Sequence, residues 1–244
     1  MFLDPPGLGP MDKEKLVLIS DVHSNLPALE AVIADIGRRG LSSAPVCFLG
    51  DAVNMGPFPA ETVSALMALK PFSRVRGNHD RYMTCDPGRE ALERYFRCPE
   101  GADHNAWTFS ALDRSAKDWL GSAPESLSFS LGGAQFTCFH ASKDNDEVPF
   151  PISPQPVNIL FGHIHSPFSV PAGPGRLIVN PGSVGSPLDG NPEASYAVLT
   201  VNGSVSAEII RVKYDIAAFC SALDERAAPW AETIKRVVTR ACLF

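Results

Sequence analysis

Nowhere in the 244-residue chain is there an apolar run near the ~18–20 residues that a membrane-crossing helix needs. Strongly basic runs are also missing: 21 Lys+Arg stand against 27 Asp+Glu, a formal −6, which speaks against a nucleic-acid polymer as partner. No C-x-x-C pair occurs, and the six cysteines (Cys47, Cys85, Cys98, Cys138, Cys220, Cys242) are scattered as reduced thiols would be, so a cytoplasmic location is expected. The opening MFLDPPGLGP has neither a basic nor an apolar signal region, and residues 1–13 read as a disordered extension, with Met11 an alternative start. What remains, 45% hydrophobic and 20% charged, excludes both a disordered tail and a multi-span membrane protein.

Lys15–Ser20, Val46–Leu49 and Phe72–Arg76 are short apolar runs suited to buried strands. Between them the spacing predicts a helix capped by Asn25, with Leu26, Leu29, Ile33 and Ile36 on one face, and a second over Pro59–Leu69. This β-α-β-α-β series implies a parallel or mixed sheet covered by helices. Residues 81–123 read as a helical cap segment, with helices over Arg89–Arg97, Asn105–Leu112 and Ala116–Leu120. From Leu127 strands dominate: Leu127–Leu131, Ala134–Phe139, Val157–Phe161, Leu177–Val179, Tyr196–Val201 and Val205–Val212. Helical spacing returns over about 214–242, and no linker divides the halves, so 14–244 are expected to form a single domain.

The chemistry gathers where apolar strands stop. The first three end in Asp21-x-His23, Gly50-Asp51 and Gly77-Asn78-His79-Asp80; later ones end in His140 and in Gly162-His163-Ile164-His165. The carboxyl ends of strands in such sheets are where ligand sites form. Five of the six histidines therefore follow a buried strand, beside two aspartates and an asparagine. A structural zinc wants four ligands, mostly Cys and His; here there are more donors and no cysteine. Asp21, His23, Asp51, Asn78, His140, His163 and His165 would serve two metals if one carboxylate bridges them, and mixed oxygen and imidazole ligation suits Mn, Fe or Zn. Each alone has a plainer reading, since a lone histidine at a strand end is usually a hydrogen-bonded structural residue; their joint order favours a shared site.

These five motifs in this order resemble the calcineurin-like metallophosphoesterase superfamily, and Asp21–Glu30, Gly50–Pro57 and Asn180–Gly185 are similar to its small bacterial and archaeal members. The resemblance implies an α/β fold, a four-layer α/β/β/α sandwich with two mixed β-sheets. It implies one metal on Asp21, His23, Asp51 and His165 and another on Asp51, Asn78, His140 and His163. Asp51 would bridge, His79 would be the catalytic imidazole, and Asp80 its orienting neighbour. The implied activity is hydrolysis of a small phosphorylated substrate, phosphomonoester or phosphodiester, by a hydroxide activated at the dinuclear centre. A dinucleoside polyphosphate hydrolase and a non-catalytic metal-binding scaffold for proteins are the alternatives, and a homo-oligomer is left open. Met55 and Ile164 depart from the pattern beside the ligands, which leaves the substrate pocket undetermined.

Arg76, Asn180 and Ser183 are the weaker candidates for substrate contact. Arg81, Tyr82, Arg94, Tyr95 and Trp107 would suit a base and its phosphates, but ordinary helix packing is the preferred reading of each; His104 is taken as a surface histidine.

Overall fold

The computed structural model describes residues 14–85 and 87–243; the expected N-terminal extension lies outside them. Two mixed five-stranded sheets with flanking helices form the α/β/β/α architecture. One sheet contains β1 (Glu14–Ile19), β2 (Val46–Phe48), β3 (Ser73–Arg74), β9 (Ala194–Val201) and β10 (Val205–Val212), in the order β10-β9-β1-β2-β3. The other contains β4 (Ser126–Leu131), β5 (Ala134–Phe139), β6 (Asn158–Phe161), β7 (Phe168–Gly173) and β8 (Arg176–Asn180), in the order β4-β5-β6-β8-β7. At the heart of each is a parallel trio, β1/β2/β3 and β5/β6/β8.

β1 shows why its sequence is apolar without alternation. Leu16 and Leu18 point into the inter-sheet core with Phe129, Phe136, Leu160 and Val179, while Val17 and Ile19 face the helices on the outer side. A strand buried on both faces has no polar side to offer.

Helix α1 (Leu26–Arg38) begins where Asn25 Oδ1 accepts from Ala28 N at 3.2 Å, the expected cap. Helix α2 (Pro59–Leu69) matches its predicted span. After the short α3 (Asn78–Tyr82) come α4 (Arg89–Phe96), α5 (Pro99–Ala111) and α6 (Arg114–Gly121). α5 starts earlier than the apolar spacing predicts because Pro99 occupies its first position, where the missing N–H costs nothing. Most of this segment is a packing layer: Leu92, Ala102, Leu112, Ala116 and Leu120 share one core with Val17, Ile19, Val63 and Leu66. The end of α4, with Tyr82 of α3 and Asn105 of α5, reaches over the strand ends. The chain finishes in α7 (Ile216–Glu225) and α8 (Ala231–Arg240), packed through Phe219, Leu223, Ile234 and Val238.

β7 is the strand that the sequence reading missed. It contains Pro171, which argues against a central strand, but it lies at the sheet edge, and its pairing with β8 shifts register at Pro171/Gly173.

Candidate metal centre

The carboxyl ends of both parallel trios meet. Asp21 and His23 follow β1, Asp51 follows β2, and Asn78, His79 and Asp80 follow β3. His140 follows β5, and His163 and His165 follow β6. The backbone turns sharply at these points: Asp21 (φ 54°), His23 (φ 50°), Asp51 (φ 59°), His163 (φ 68°) and His165 (φ 55°) all lie in the left-handed region. For non-glycine residues this conformation is unfavourable, and it persists where surrounding bonds impose it. Here Asp21 N donates to Gly50 O (2.9 Å), Val22 N to Asp51 O (2.8 Å) and Gly162 N to His140 O (2.8 Å), lacing the loops together.

Three imidazoles are held alike. His23 Nδ1 donates to Val53 O (3.2 Å), His140 Nδ1 to Leu49 O (2.8 Å) and His165 Nδ1 to Ser186 O (2.5 Å). A neutral ring that spends its N–H on a carbonyl has a lone pair on Nε2. Those lone pairs converge on carboxylate oxygens and on each other. His140 Nε2 lies 3.1 Å from Asp51 Oδ2, His165 Nε2 3.2 Å from Asp21 Oδ1, and His23 Nε2 3.1 Å from His165 Nε2. His23 Nε2 is also 3.8 Å from oxygens of both Asp21 and Asp51. All five side chains are buried.

Acceptors facing acceptors out of water repel unless a cation lies among them. The donor set thus fits a metal, and the carbonyl-anchored Nδ1 is the usual outer support of a metal-bound histidine. Donor atoms of Asp21, His23 and His165, of Asp21, Asp51 and His140, and of His23, Asp51 and His79 lie within 4.8 Å of one another. Protons respond to the same field. Burial works against charge on His140, but Asp51 and Asp21 more than offset it and hold the imidazole up to about 10, so without a metal a proton on Nε2 faces Asp51 and a metal would have to displace it; burial and the neighbouring His165 and His79 push His23 down to about 3.

Asn78 adds a further donor. Its Nδ2 donates to Tyr95 Oη (3.0 Å) and Tyr82 Oη (3.4 Å), while its buried Oδ1 has no hydrogen-bond partner. The phenols therefore leave the carbonyl oxygen free to ligate. His163 lies at the edge of the group, half-buried, with its ring 5.2 Å from that of His140 and its backbone N–H donating to the Asp21 carboxylate (3.0 Å).

Five sequence expectations need correction. Asp80 does not orient His79. Its carboxylate accepts from the backbone N–H of Asp51 (2.9 Å), Ala52 (2.8 Å) and Gly77 (3.1 Å), tying the β2 and β3 loops together. Burial and the Asp51 charge push its pKa up to about 7 despite those donors. The partner of His79 is Asn54, absent from the sequence-derived set: its Nδ2 lies 3.1 Å from His79 Nδ1 and donates to Asn105 Oδ1 (2.8 Å). An NH₂ facing Nδ1 makes that nitrogen the acceptor and puts the ring proton on Nε2.

Arg76 pairs with Glu125 (2.9 Å) instead of entering the site. Asn180 and Ser183 are fully buried and engaged in the fold. Asn180 Nδ2 donates to Gly162 O (2.6 Å) and its Oδ1 accepts from Gly182 N (2.8 Å), while Ser183 Oγ donates to Asp21 O (2.6 Å). They fix the loop behind the donors and offer no free atom to a substrate. His104 is buried, with Nδ1 donating to Pro229 O (2.8 Å), and so is a packing residue.

A glycine shows how tightly Asp51 is held. A Cβ on Gly77 would lie 2.0 Å from Asp51 Oδ1 and 2.5 Å from Asp51 N. Gly77→Ala removes no donor, yet it is expected to weaken Mn²⁺ binding by about 10- to 100-fold, the range seen when supports of metal ligands are disturbed. Calorimetric titration checks this, and undiminished affinity would show that the carboxylate position is immaterial.

Comparisons with known proteins bear on the family and the fold. The family model described as "Calcineurin-like phosphoesterase superfamily domain" matches residues 15–204. An uncharacterised protein of Methanocaldococcus jannaschii is 34% identical over 229 residues, covering 84% of this chain and 90% of its own. Among solved structures, a metallophosphoesterase from Sphaerobacter thermophilus is similar at TM-score 0.72 and 27% identity, covering 93% of this chain and 99% of that one. A hypothetical protein of Pyrococcus horikoshii shares the fold at TM-score 0.80 and 18% identity, covering 93% and 98%.

Proposed function

The chain belongs to the calcineurin-like phosphoesterase superfamily, and from that premise we propose that it is a phosphohydrolase using two divalent cations to cleave a small phosphomonoester or phosphodiester. The observation that carries this reading is the convergence of three carbonyl-anchored imidazoles on two buried carboxylates. Asp21, His23, Asp51 and His165 would hold one ion, Asp51, Asn78, His140 and His163 the other, with Asp51 shared. Bound divalent cations supply Lewis acidity: they lower the pKa of water towards neutrality and offset charge on phosphate oxygens.

The remaining roles fall to the chain. His79 Nε2 carries the proton, because Asn54 occupies Nδ1, and it presents that N–H to the oxygen of the departing group. Asp51 Oδ1 accepts from the backbone N–H of His79 (2.9 Å), so the residue that carries the imidazole is positioned by the same carboxylate that would be shared between the ions. Rings of Tyr82, Tyr95 and Phe96 lie 5.5, 5.6 and 5.7 Å from that of His79 and exclude water from it. Hydrolysis of a dinucleoside polyphosphate anhydride would use the same groups.

The test is metal-dependent turnover. After chelation and dialysis the protein is expected to be inert towards bis(p-nitrophenyl) phosphate, p-nitrophenyl phosphate and dinucleoside polyphosphates, and to regain activity towards at least one with Mn²⁺. The melting temperature should rise in parallel, since a ligand at 100 times its Kd adds about 2.7 kcal/mol to the folded state. A metal-stabilised protein that cleaves none of them would be a binding scaffold instead.

A further inference from the structure

A cavity of about 570 Å³ opens beside the donor cluster, reaching His79, His163 and His165. Its walls are unlike the donors. Tyr95 and Phe96 from the end of α4 and Trp230 from the start of α8 line it together with Met55. Phe96 is the hinge of this wall: its ring meets Tyr95 at 5.1 Å and Trp230 at 5.5 Å, both edge to face. Three aromatic rings and a thioether facing a space of this size form a slot for a flat apolar group, and the volume lies within the ~300–1,000 Å³ of small-ligand sites.

Two arginines complete the cavity. Arg97 and Arg236 line it and are exposed. Arg97 makes no hydrogen bond or ion pair among the described residues, and Arg236 donates only to Thr233 Oγ1 (3.1 Å). Most other arginines of this acidic chain are paired with a carboxylate, as Arg81 is with Asp146 (2.7 Å) and Glu147 (2.6 Å). Two guanidinium groups left without a carboxylate at the mouth of an aromatic cavity suit an anionic group, which they can bind in forked geometry. The α8 wall lies beyond residue 204, where the superfamily match ends, and Met55, Tyr95 and Phe96 lie within the match.

We infer that the substrate carries a flat aromatic arm, of nucleobase size, on the His79 side of the scissile phosphate, and a second anionic group that Arg97 and Arg236 receive. This rests on the phosphoester reading above and narrows it from any small ester to a nucleotide-like one. A bare sugar phosphate would leave the aromatic wall unused.

The experiment is calorimetric titration of the Mn²⁺-loaded protein with non-hydrolysable phosphonate analogues of AMP, ribose 5-phosphate and ADP. The AMP analogue is expected to bind about ten-fold or more tightly than the ribose one, the scale of one base stacked on aromatic side chains. In Thr233→Trp, which fills the cavity from α8, that ratio should fall to about one. The ADP analogue should exceed the AMP analogue by about ten-fold, and Arg97→Ala/Arg236→Ala should erase the difference; both residues are exposed, so this variant keeps the proposal testable if the first fails to fold. Equal affinity for the AMP and ribose analogues in the native protein, or ratios unmoved by these variants, would overturn the inference. Hydrolysis of bis(p-nitrophenyl) phosphate, p-nitrophenyl phosphate and dinucleoside polyphosphates by the native protein is measured separately: silence on all three with the ratios intact would overturn the phosphoester reading and leave the aromatic slot standing.

Discussion

Asp51→Asn is expected to lower kcat/KM by at least about 10³-fold and to reduce bound metal from two ions per chain to one or none. The substitution keeps shape and volume and removes only charge. The charge matters because Asp51 belongs to two of the three donor groups, one with Asp21 and His140 and one with His23 and His79. The two nearby carboxylates are engaged elsewhere: Asp80 accepts from three backbone amides, and Asp21, itself in two of the donor groups, faces His165 at 3.2 Å. An amide presents an NH₂ where one ion needs an oxygen, so at least one ion loses its bridge. Folding should survive, since the backbone bonds from Val22 N and His23 N to Asp51 O do not involve the side chain. Elemental analysis of the purified variant beside steady-state rates is the check. Two ions retained with full activity would remove Asp51 from the centre of the mechanism.

His79→Ala is expected to behave differently: metal content unchanged, turnover lowered by about 10²- to 10⁴-fold on esters with poor leaving groups, and much less on p-nitrophenyl esters. A good leaving group departs without the proton or the dipole that Nε2–H supplies, so the ratio between the two substrate types isolates that role. Asn54→Ala should give a weaker version of the same pattern. It removes the donor that holds Nδ1 as acceptor, letting the proton sit on either nitrogen. Equal losses on both substrate types would assign His79 to metal binding instead, a role its grouping with His23 and Asp51 allows.

These residues show what a sequence can disclose and what it hides. Asp21, His23, Asp51, Asn78, His140, His163 and His165 were legible because each stands where a short apolar run stops, and the ends of parallel strands share one edge of a sheet. The strands β1, β5 and β10 were legible for a related reason: β-branched and aromatic runs bounded by turn residues have few other structures open to them.

Pairings between distant segments were hidden. Asp80 adjoins His79 in the chain, which suggests a dyad, but α3 turns adjacent side chains to different sides, and Asp80 points back to the β2 loop. Asn54 reaches His79 from 25 positions away, and no local pattern marks it. His104 looked solvent-facing because α5 reads as polar; its environment is set by Pro229, 125 positions away, a contact that helical spacing cannot encode. Asn180 and Ser183 were correctly associated with the site loop, yet their polar atoms are consumed in holding it. Tyr95, half of whose role depends on Asn78 and half on Phe96, could not be separated from an ordinary amphipathic helix residue.

The central claim is that one buried carboxylate, Asp51, is shared by two cations. Anomalous diffraction from crystals grown with Mn²⁺ tests it most directly. The account expects two peaks, one against Asp21, His23 and His165 and the other against Asn78, His140 and His163, both in contact with the Asp51 carboxylate. A single peak, or two peaks of which only one touches Asp51, would contradict it.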